Sequence, residues 1–351
     1  MKKTVRLGLI GCGAAGMSHL NAMRGVRGLE LTAVCDLNRK YAKRAAEQAG
    51  VPFYVDAATM MKSADLDAVA IIATAHAHYP LLKLAAKHKL HALCEKPLTV
   101  KPADGKRVIA AFKKADRLLA VTFTYRYVPS TRRMKQLIDR GTIGRVLEVR
   151  MVSWCGLAEK YGRGTDKRVK YDTLYNDEIR GILFDCGVHT FDLFRWLSGE
   201  EYVKFVGMGA CHKGYAYPDS GTVLCEMTGG VRAVYEHGPM PHYMNGAWGI
   251  PLCTMCVAGT KGSIAFKVAV ERCDGRYMSE FQIHTKRGGS RSEKVPLYGK
   301  LRDQQYLDFV RSVRAGALRG RFPGPDEANK ATDAARKAVD AVMRNVVGRA
   351  R

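Results

Sequence analysis

Nowhere in its 351 residues does the chain hold the roughly eighteen consecutive apolar residues that a membrane-spanning helix needs. After Met1-Lys2-Lys3 the apolar run Thr4–Ile10 is only a strand's length before glycines begin, too short for the core of a secretory leader. The expectation is a cytoplasmic protein with no membrane partner. Internal repeats and low-complexity segments are absent, which excludes solenoid and propeller architectures. The ten cysteines follow no framework, and their scatter suits a reducing compartment better than a disulfide scaffold. Their one close pair, Cys253-Thr-Met-Cys256, has no second pair at matching spacing, so a four-ligand zinc site is not expected. Acidic residues are outnumbered, 33 against 57 basic ones, for a formal net charge of +24. That surplus is spread along the whole chain. No zinc finger, helix-turn-helix or aromatic-basic module accompanies it, so it reads as a solvated surface and not as a nucleic-acid interface.

What is present is a rhythm. Short apolar runs at Leu7–Ile10, Leu31–Cys35, Ala68–Ala73, Ala92–Cys94 and Leu118–Phe123 alternate with amphipathic stretches at 17–26, 39–50, 79–89 and 102–115. Such βαβ alternation predicts a parallel sheet covered by helices over residues 1–125. From residue 126 the pattern changes. Helices are expected at 129–140, 181–197, 302–314 and 327–347. Between 202 and about 295, strand runs alternate with turn signals such as Gly229-Gly230 and Gly259–Gly262. This predicts a second α/β domain over 126–351, built on an open, mostly antiparallel sheet.

Gly11-Cys12-Gly13-Ala14-Ala15-Gly16 matches G-x-G-x-x-G between a strand and a helix, the context in which that motif binds dinucleotides. Gly11 permits the tight turn, Gly13 the close approach of a pyrophosphate, and Gly16 tight helix–strand packing. The helix N-terminus beyond offers free N–H groups to the phosphates. Asp36, twenty residues past Gly16 at the end of the next strand, is placed to accept from ribose hydroxyls and to repel a 2′-phosphate. NAD is therefore expected over NADP. Arg39 and Lys40 stand close enough to soften that preference.

Further along, Glu95-Lys96-Pro97 directly follows the fourth of these runs, Ala92–Cys94. With Ala73-Thr74 and His78, Arg126-Tyr127-Val128-Pro129, Gly141-Thr-Ile-Gly144, Asp185-Cys-Gly-Val-His189-Thr-Phe-Asp192 and Gly259-Thr-Lys-Gly-Ser263, it makes an ordered set of motifs. The set resembles the Gfo/Idh/MocA family of glucose–fructose oxidoreductases, inositol dehydrogenases and rhizopine-catabolism proteins over nearly the whole chain. The resemblance implies a Rossmann domain and an open-sheet domain, with the C-terminal helices packing back on the former and the sheet making homodimers or homotetramers. It implies NAD(P)-dependent oxidation or reduction of secondary alcohols in sugars and polyols. It carries the family's catalytic residues onto Lys96, Asp185 and His189. Cofactor contacts fall on Gly11, Gly13, Ala14, Ala15, Gly16, Asp36, Arg39, Thr74, His78, Glu95 and Lys96.

The residue types suit the chemistry. Oxidising a secondary alcohol removes the hydroxyl proton as hydride leaves carbon, and an imidazole titrating near neutral pH is a natural base. Asp185 and His189 are four apart and share a helix face. An ammonium at Lys96 would stabilise developing alkoxide. Departures from the family pattern concern specificity. Thr74-Ala75-His76-Ala77-His78 reads as a loop one residue short, and Arg180 stands where a small residue is usual. Arg180, with Arg126 or Lys170, is the expected reader of an acidic group on the substrate. Trp154 and Asn176 are further substrate-side candidates, and Tyr161, Tyr171, Tyr175, Tyr243, Asn245 and Trp248 are weaker ones. A redox-neutral, NAD-dependent glycosidase or lyase needs the same constellation and is the alternative reading.

Overall fold

The computed structural model describes residues 4–155, 176–211, 216–239, 252–273, 276–296 and 301–347. The weaker candidates Tyr161, Tyr171, Tyr175, Tyr243, Asn245 and Trp248, together with Lys170, lie outside them, as does the Trp154 side chain. The chain separates into two compact units, Met1–Tyr127 with Lys300–Thr332, and Val128–Gly299 with Asp333–Arg351.

The first unit is built on six parallel strands: β1 (Val5–Ile10), β2 (Leu29–Cys35), β3 (Phe53–Tyr54), β4 (Ala68–Ile71), β5 (His91–Glu95) and β6 (Leu119–Thr122). Their order is β3-β2-β1-β4-β5-β6. β4 and β6 are buried along their whole length, which is why they read as unbroken apolar runs. The connecting helices are α1 (Ala14–Met23), α2 (Arg39–Ala49), α3 (Ala57–Ser63), α4 (Ala75–Lys87) and α5 (Pro102–Ala115). Local chemistry sets their ends. Asn38 Oδ1 caps α2 by accepting from the Lys40 N–H at 3.0 Å, and Gly50 closes it at φ +70°. Pro102 opens α5 in its first turn, where no N–H is needed. β3 and α3 escape the sequence pattern because two and seven residues are too few for a period to register.

Among the described residues, four further helices follow: α6 (Pro129–Asp139), α7 (Ile182–Ser198), α8 (Leu301–Ala315) and α9 (Pro325–Met343). Of these, α8 belongs to the first unit. It adds Tyr306, Phe309 and Val310 to a core that also holds Leu20, Met23 and Val26.

Among its described residues the second unit carries nine strands: β7 (Val146–Cys155), β8 (Tyr202–Ala210), β9 (Ser220–Met227), β10 (Arg232–Pro239), β11 (Leu252–Gly259), β12 (Gly262–Cys273), β13 (Arg276–Thr285), β14 (Gly289–Pro296) and β15 (Val346–Val347). Their order is β14-β13-β12-β11-β7-β10-β9-β8-β15, antiparallel except at β7–β10 and β8–β15. The expected open sheet is thus present and mixed. Along β9, Val223, Cys225 and Met227 are buried while Thr222, Leu224 and Glu226 are exposed, the two-residue period of a sheet with one dry face. Helix α7 covers that dry face, with the Phe191 ring edge-on to Tyr202 and Tyr235. Val206, Met208 and Leu224 stand exposed on the other face.

Helix α9 ends at Met343, short of the expected 347. Val346 and Val347 instead pair in parallel with Gly209 and Ala210 of β8. β-branched valines favour the strand, and glycines at 207 and 209 leave the room that Val342 of α9 fills: a Cβ at either would come within 2.7 Å of its methyls.

In the same unit, α6 is tied to β14 by a fork of two bonds from Arg133 to Glu293, at 2.6 and 3.0 Å. Arg133 holds the Glu293 carboxyl below its ordinary 4.5, against the opposing effect of partial burial, and is itself raised. A depressed carboxylate stabilises the fold above pH 4.5, and that contribution is lost as pH falls through the lower folded value. Glu293→Gln is expected to cost about 0.5–1 kcal/mol at pH 7. Thermal melts of the two proteins should converge as pH falls through and below the lowered Glu293 value; an equal gap at neutral pH and well below the carboxylate range would contradict the pairing.

Candidate active site

The first unit's sheet reverses its direction of growth between β1 and β4, and ligands of such sheets bind at the carboxyl ends of the strands beside that reversal. The glycine loop lies there. Gly11 adopts φ +95°, and its N–H donates to Cys35 O at 2.8 Å, which knits the end of β1 to the end of β2. A Cβ at Gly11 would come 2.5 Å from the Ile72 carbonyl oxygen, and one at Gly16 would overlap the Gly11 carbonyl. At Gly13 a Cβ would meet nothing within 4 Å. Two glycines are therefore required by the protein's own packing, while the third leaves backbone open on the side where α1 begins with Ala14 and Ala15.

Asp36 fixes this loop. Its Oδ2 accepts from the Cys12 N–H at 2.7 Å and its Oδ1 from the Asn38 N–H at 2.8 Å. Arg44 donates to Cys12 O at 3.3 Å, and the Arg39 guanidinium lies over the Phe53 ring, 5.1 Å from its centroid. Burial, and after it the Asp36 charge, pushes the Cys12 thiol up to about 12, so this cysteine packs and does not react. Leu37, next to Asp36, is 91% exposed, an apolar side chain offered at the rim.

Segment 74–78 differs from the expected loop. It is the first turn of α4, with Thr74 as its N-cap residue and the Thr74 hydroxyl 3.0 Å from His76 Nε2. His78 is 1% exposed. Its Nδ1 lies 2.7 Å from Pro97 O and its Nε2 3.1 Å from Ala73 O. Burial lowers its pKa, although two carbonyl acceptors pull the other way. The side chain expected as a direct cofactor contact thus spends its ring on two loops of its own chain.

Lys96 follows the last residue of β5, at the same edge of the sheet as the glycine loop. Its own N–H donates to Glu95 Oε2 at 3.0 Å. The other Glu95 oxygen, Oε1, lies 2.9 Å from Nε2 of His19 on α1, and His19 Nδ1 lies 2.8 Å from the Tyr306 hydroxyl. His19 and Tyr306 are fully buried. The sequence reading singles out neither. A polar histidine three residues past Gly16 on an apolar helix is a usable signal; Tyr306, 287 residues away from it, offers none.

In the second unit, α7 is buried almost all round. Asp185, His189 and Trp196 are half-buried and follow one stripe with the buried Asp192. Gly187 lets the helix approach the sheet: a Cβ there would stand 3.2 Å from the Phe191 ring and 3.6 Å from Tyr235. On the sheet beneath, the Tyr235 hydroxyl lies 3.1 Å from Nδ1 of the buried His237. Asn176 Oδ1 accepts from the Glu178 and Ile179 N–H groups, capping the turn that leads into α7. Arg180, at φ +58°, forms an ion pair with Asp340 of α9 and donates to Asp177 O at 3.4 Å. The guanidinium expected to read an acidic substrate therefore has an internal carboxylate. Arg126 is buried on a short 3-10 turn at Thr124–Tyr127 in the first unit. No group of three or more potential metal ligands occurs among the described residues, and none of their helices is long and apolar enough to cross a membrane.

A glycine loop at the switch point of a parallel sheet, with an acid at the next strand end, defines a dinucleotide-binding Rossmann fold. Residues 5–123 match the model of the Gfo/Idh/MocA oxidoreductase family with its NAD-binding Rossmann fold, and residues 131–265 match the family's C-terminal domain. The chain belongs to the Gfo/Idh/MocA family, and its first unit is an NAD-binding Rossmann fold. It is 30% identical over 229 residues to D-apiose dehydrogenase of Paraburkholderia graminis, 65% of this chain and 59% of that protein. It is also 30% identical over 210 residues to myo-inositol 2-dehydrogenase of Thermotoga maritima, 59% of this chain and 58% of that one. The matched segment thus spans a little under three-fifths of each relative's length. An oxidoreductase from Agrobacterium radiobacter, crystallised with NAD+, L-tartaric acid and magnesium, shares the fold at TM-score 0.82 and 20% identity, with 97% of each chain covered.

Proposed function

We propose that the protein is an NAD-dependent dehydrogenase that moves a hydride to or from a secondary hydroxyl of a sugar, polyol or sugar derivative. The observation that carries this reading is that the open backbone at Gly13 and the ammonium-bearing Lys96 stand at the same edge of one parallel sheet, on either side of its switch point. The names of the curated relatives, both dehydrogenases of sugars or cyclic polyols, support net oxidation over the redox-neutral glycosidase alternative.

The residues fit the cofactor. Gly11 and Gly16 hold the turn, Gly13 leaves the approach clear, Ala14 and Ala15 bring small side chains to the helix N-terminus, and Asp36 presents a carboxylate where ribose hydroxyls are read. Arg39, stacked on Phe53, is drawn away from a 2′-phosphate role, which keeps NAD ahead of NADP. The nicotinamide supplies the hydride acceptor or donor when bound. The remaining chemistry is assigned to this chain's residues. His189 takes or returns the hydroxyl proton, Lys96 stabilises negative charge on the reacting oxygen and is a second proton donor in reduction, and Asp185 anchors a substrate hydroxyl. Trp154, Asn176 and Arg126 stay as substrate-side candidates. Arg180 serves first as the partner of Asp340, so neutral polyols are favoured over acidic ones.

The test is a screen of sugars, polyols and sugar acids with NAD and with NADP, following absorbance of the reduced nicotinamide. At least one neutral polyol or sugar is expected to turn over with NAD at a kcat/KM about 10-fold or more above that with NADP, since Asp36 repels the extra phosphate. Absence of turnover by a folded protein that binds NADH would remove the dehydrogenase assignment.

A further inference from the structure

The E-K-P tripeptide is gripped on both sides. Upstream, Glu95 accepts from Lys96's own N–H through Oε2 and faces His19 Nε2 through Oε1. Downstream, the Pro97 carbonyl lies 2.7 Å from His78 Nδ1. Both histidines are buried, and the His78–Pro97 bond is buried at both ends, away from bulk water. The upstream arm is the longer one. It runs from the Tyr306 hydroxyl on α8, through the His19 ring on α1, to the Glu95 carboxylate and the Lys96 peptide.

Donor and acceptor roles along this arm are set by chemistry. A carboxylate only accepts, so His19 Nε2 carries the proton and donates to Glu95. In the neutral ring Nδ1 then accepts, and the Tyr306 hydroxyl donates to it. Burial and the Glu95 charge push the Tyr306 phenol up, which keeps that donor protonated. Every group has a partner of the right kind. An arrangement made only to fill a core would use apolar side chains, since the buried His19 and Tyr306 and the half-buried Glu95 bring desolvation costs that packing alone does not require.

The geometry points to His19 as a positioning residue for Lys96, acting through the Glu95 carboxylate and itself aimed by Tyr306. It touches neither substrate nor the reacting atoms. Both Glu95 oxygens are engaged, one by His19 and one by the Lys96 N–H, so the carboxylate plane and the 95–96 peptide plane are fixed together. That sets the direction in which the lysine side chain leaves the backbone. His19 also sits on the helix whose first turn carries the glycine loop, where the Met17 N–H donates to Gly13 O. The same ring therefore links the dinucleotide cradle to the lysine. A glutamate expected to contact the cofactor is assigned here to its own chain.

This inference rests on the assignment of Lys96 to the reaction, and the experiment separates the two. His19→Leu removes the donor, while His19→Gln keeps an N–H at similar reach. In His19→Leu, kcat is expected to fall about 10- to 100-fold, the loss that a slight misplacement of a reacting group causes, with KM for NAD within about 3-fold of wild type. His19→Gln should recover to within about 5-fold, and Tyr306→Phe, which removes only the hydroxyl, should lose about 3-fold. Against a Lys96→Met background the His19→Leu change should lose nothing further, because the group it aims is gone. A purely structural role would cost the same factor in both backgrounds. Independently of turnover, labelling of Lys96 by an amine-directed reagent, read by mass spectrometry, should speed up about 3-fold or more in His19→Leu and return in His19→Gln, with other lysines unchanged. If the wild-type protein oxidises no polyol, the functional assignment fails and the labelling still decides the positioning role. Wild-type kcat in His19→Leu, equal losses with and without the Lys96→Met change, or unchanged Lys96 labelling would each overturn it.

Discussion

Lys96→Met is expected to lower kcat/KM by about 10²- to 10⁴-fold while leaving NADH binding within a few-fold of wild type, the range associated with losing a positioned proton-transfer or charge-stabilising group. Methionine keeps the unbranched shape of lysine and all but its last atom in length, so the backbone grip from Glu95 and the His78–Pro97 contact stays in place. What disappears is the ammonium. In water a single charge near an alkoxide is worth little, but in a crevice of low effective dielectric the same charge lowers the barrier by several kcal/mol. The loss is expected in kcat, because ground-state binding of the dinucleotide is assigned in the proposed function to the glycine loop and Asp36, which this change does not touch. His189→Asn should lose a comparable factor. The double variant should fall little below the worse single one, since the proposed function assigns both groups to one proton transfer. Steady-state absorbance of NADH and a fluorescence titration of NADH binding make the measurement. A methionine variant with kcat within about 3-fold of wild type would show that the reaction does not use this ammonium.

The second large effect concerns the glycine loop, and it separates fold from binding. Gly11→Ala places a side chain at φ +95°, a region that costs roughly 1–3 kcal/mol for a non-glycine residue, with its Cβ 2.5 Å from the Ile72 carbonyl oxygen. The loop must shift, so both thermal stability and NADH affinity are expected to fall, the midpoint by about 2–10 °C. Gly13→Ala is the contrast. Its φ of −67° suits any residue and its Cβ would meet nothing within 4 Å. Its melting point should stay within about 2 °C of wild type while NADH binding weakens about 10-fold or more, a loss of about 1.4 kcal/mol or more. Differential scanning fluorimetry beside the same NADH titration separates the two outcomes. If Gly13→Ala binds NADH as well as wild type, the open space above residue 13 is not where a pyrophosphate approaches.

Some parts of the site were legible in one dimension because their chemistry is local. The turn at Gly11, the acid at Asp36 and the Glu95-Lys96-Pro97 run each depend on a few consecutive residues and on the strand just before them. The pairing of Asp185 with His189 needs only a helical period. The strand pattern of the first unit was readable because central parallel strands are buried on both faces and leave unbroken apolar runs. Short elements fell below that threshold, as β3 and α3 did. The tail failed for a different reason: Val346 and Val347 continue a helical pattern in the chain, but the bare backbone at Gly207 and Gly209 lets them pair with β8 instead.

The amino-acid order alone determined the Rossmann class, the open, mostly antiparallel sheet that follows it, the dinucleotide loop and the identity of the lysine and histidine proposed for proton transfer. These rest on periodicities and contiguous motifs, which a linear chain displays directly. Only the folded chain decided what the neighbouring polar side chains do. His78 turned inward onto two carbonyls, Arg180 onto Asp340, and Glu95 onto His19 and the lysine's own amide. A buried polar group must find a partner wherever the packing brings one, and partners such as Tyr306 for His19 come from the far end of the chain, where no local pattern announces them.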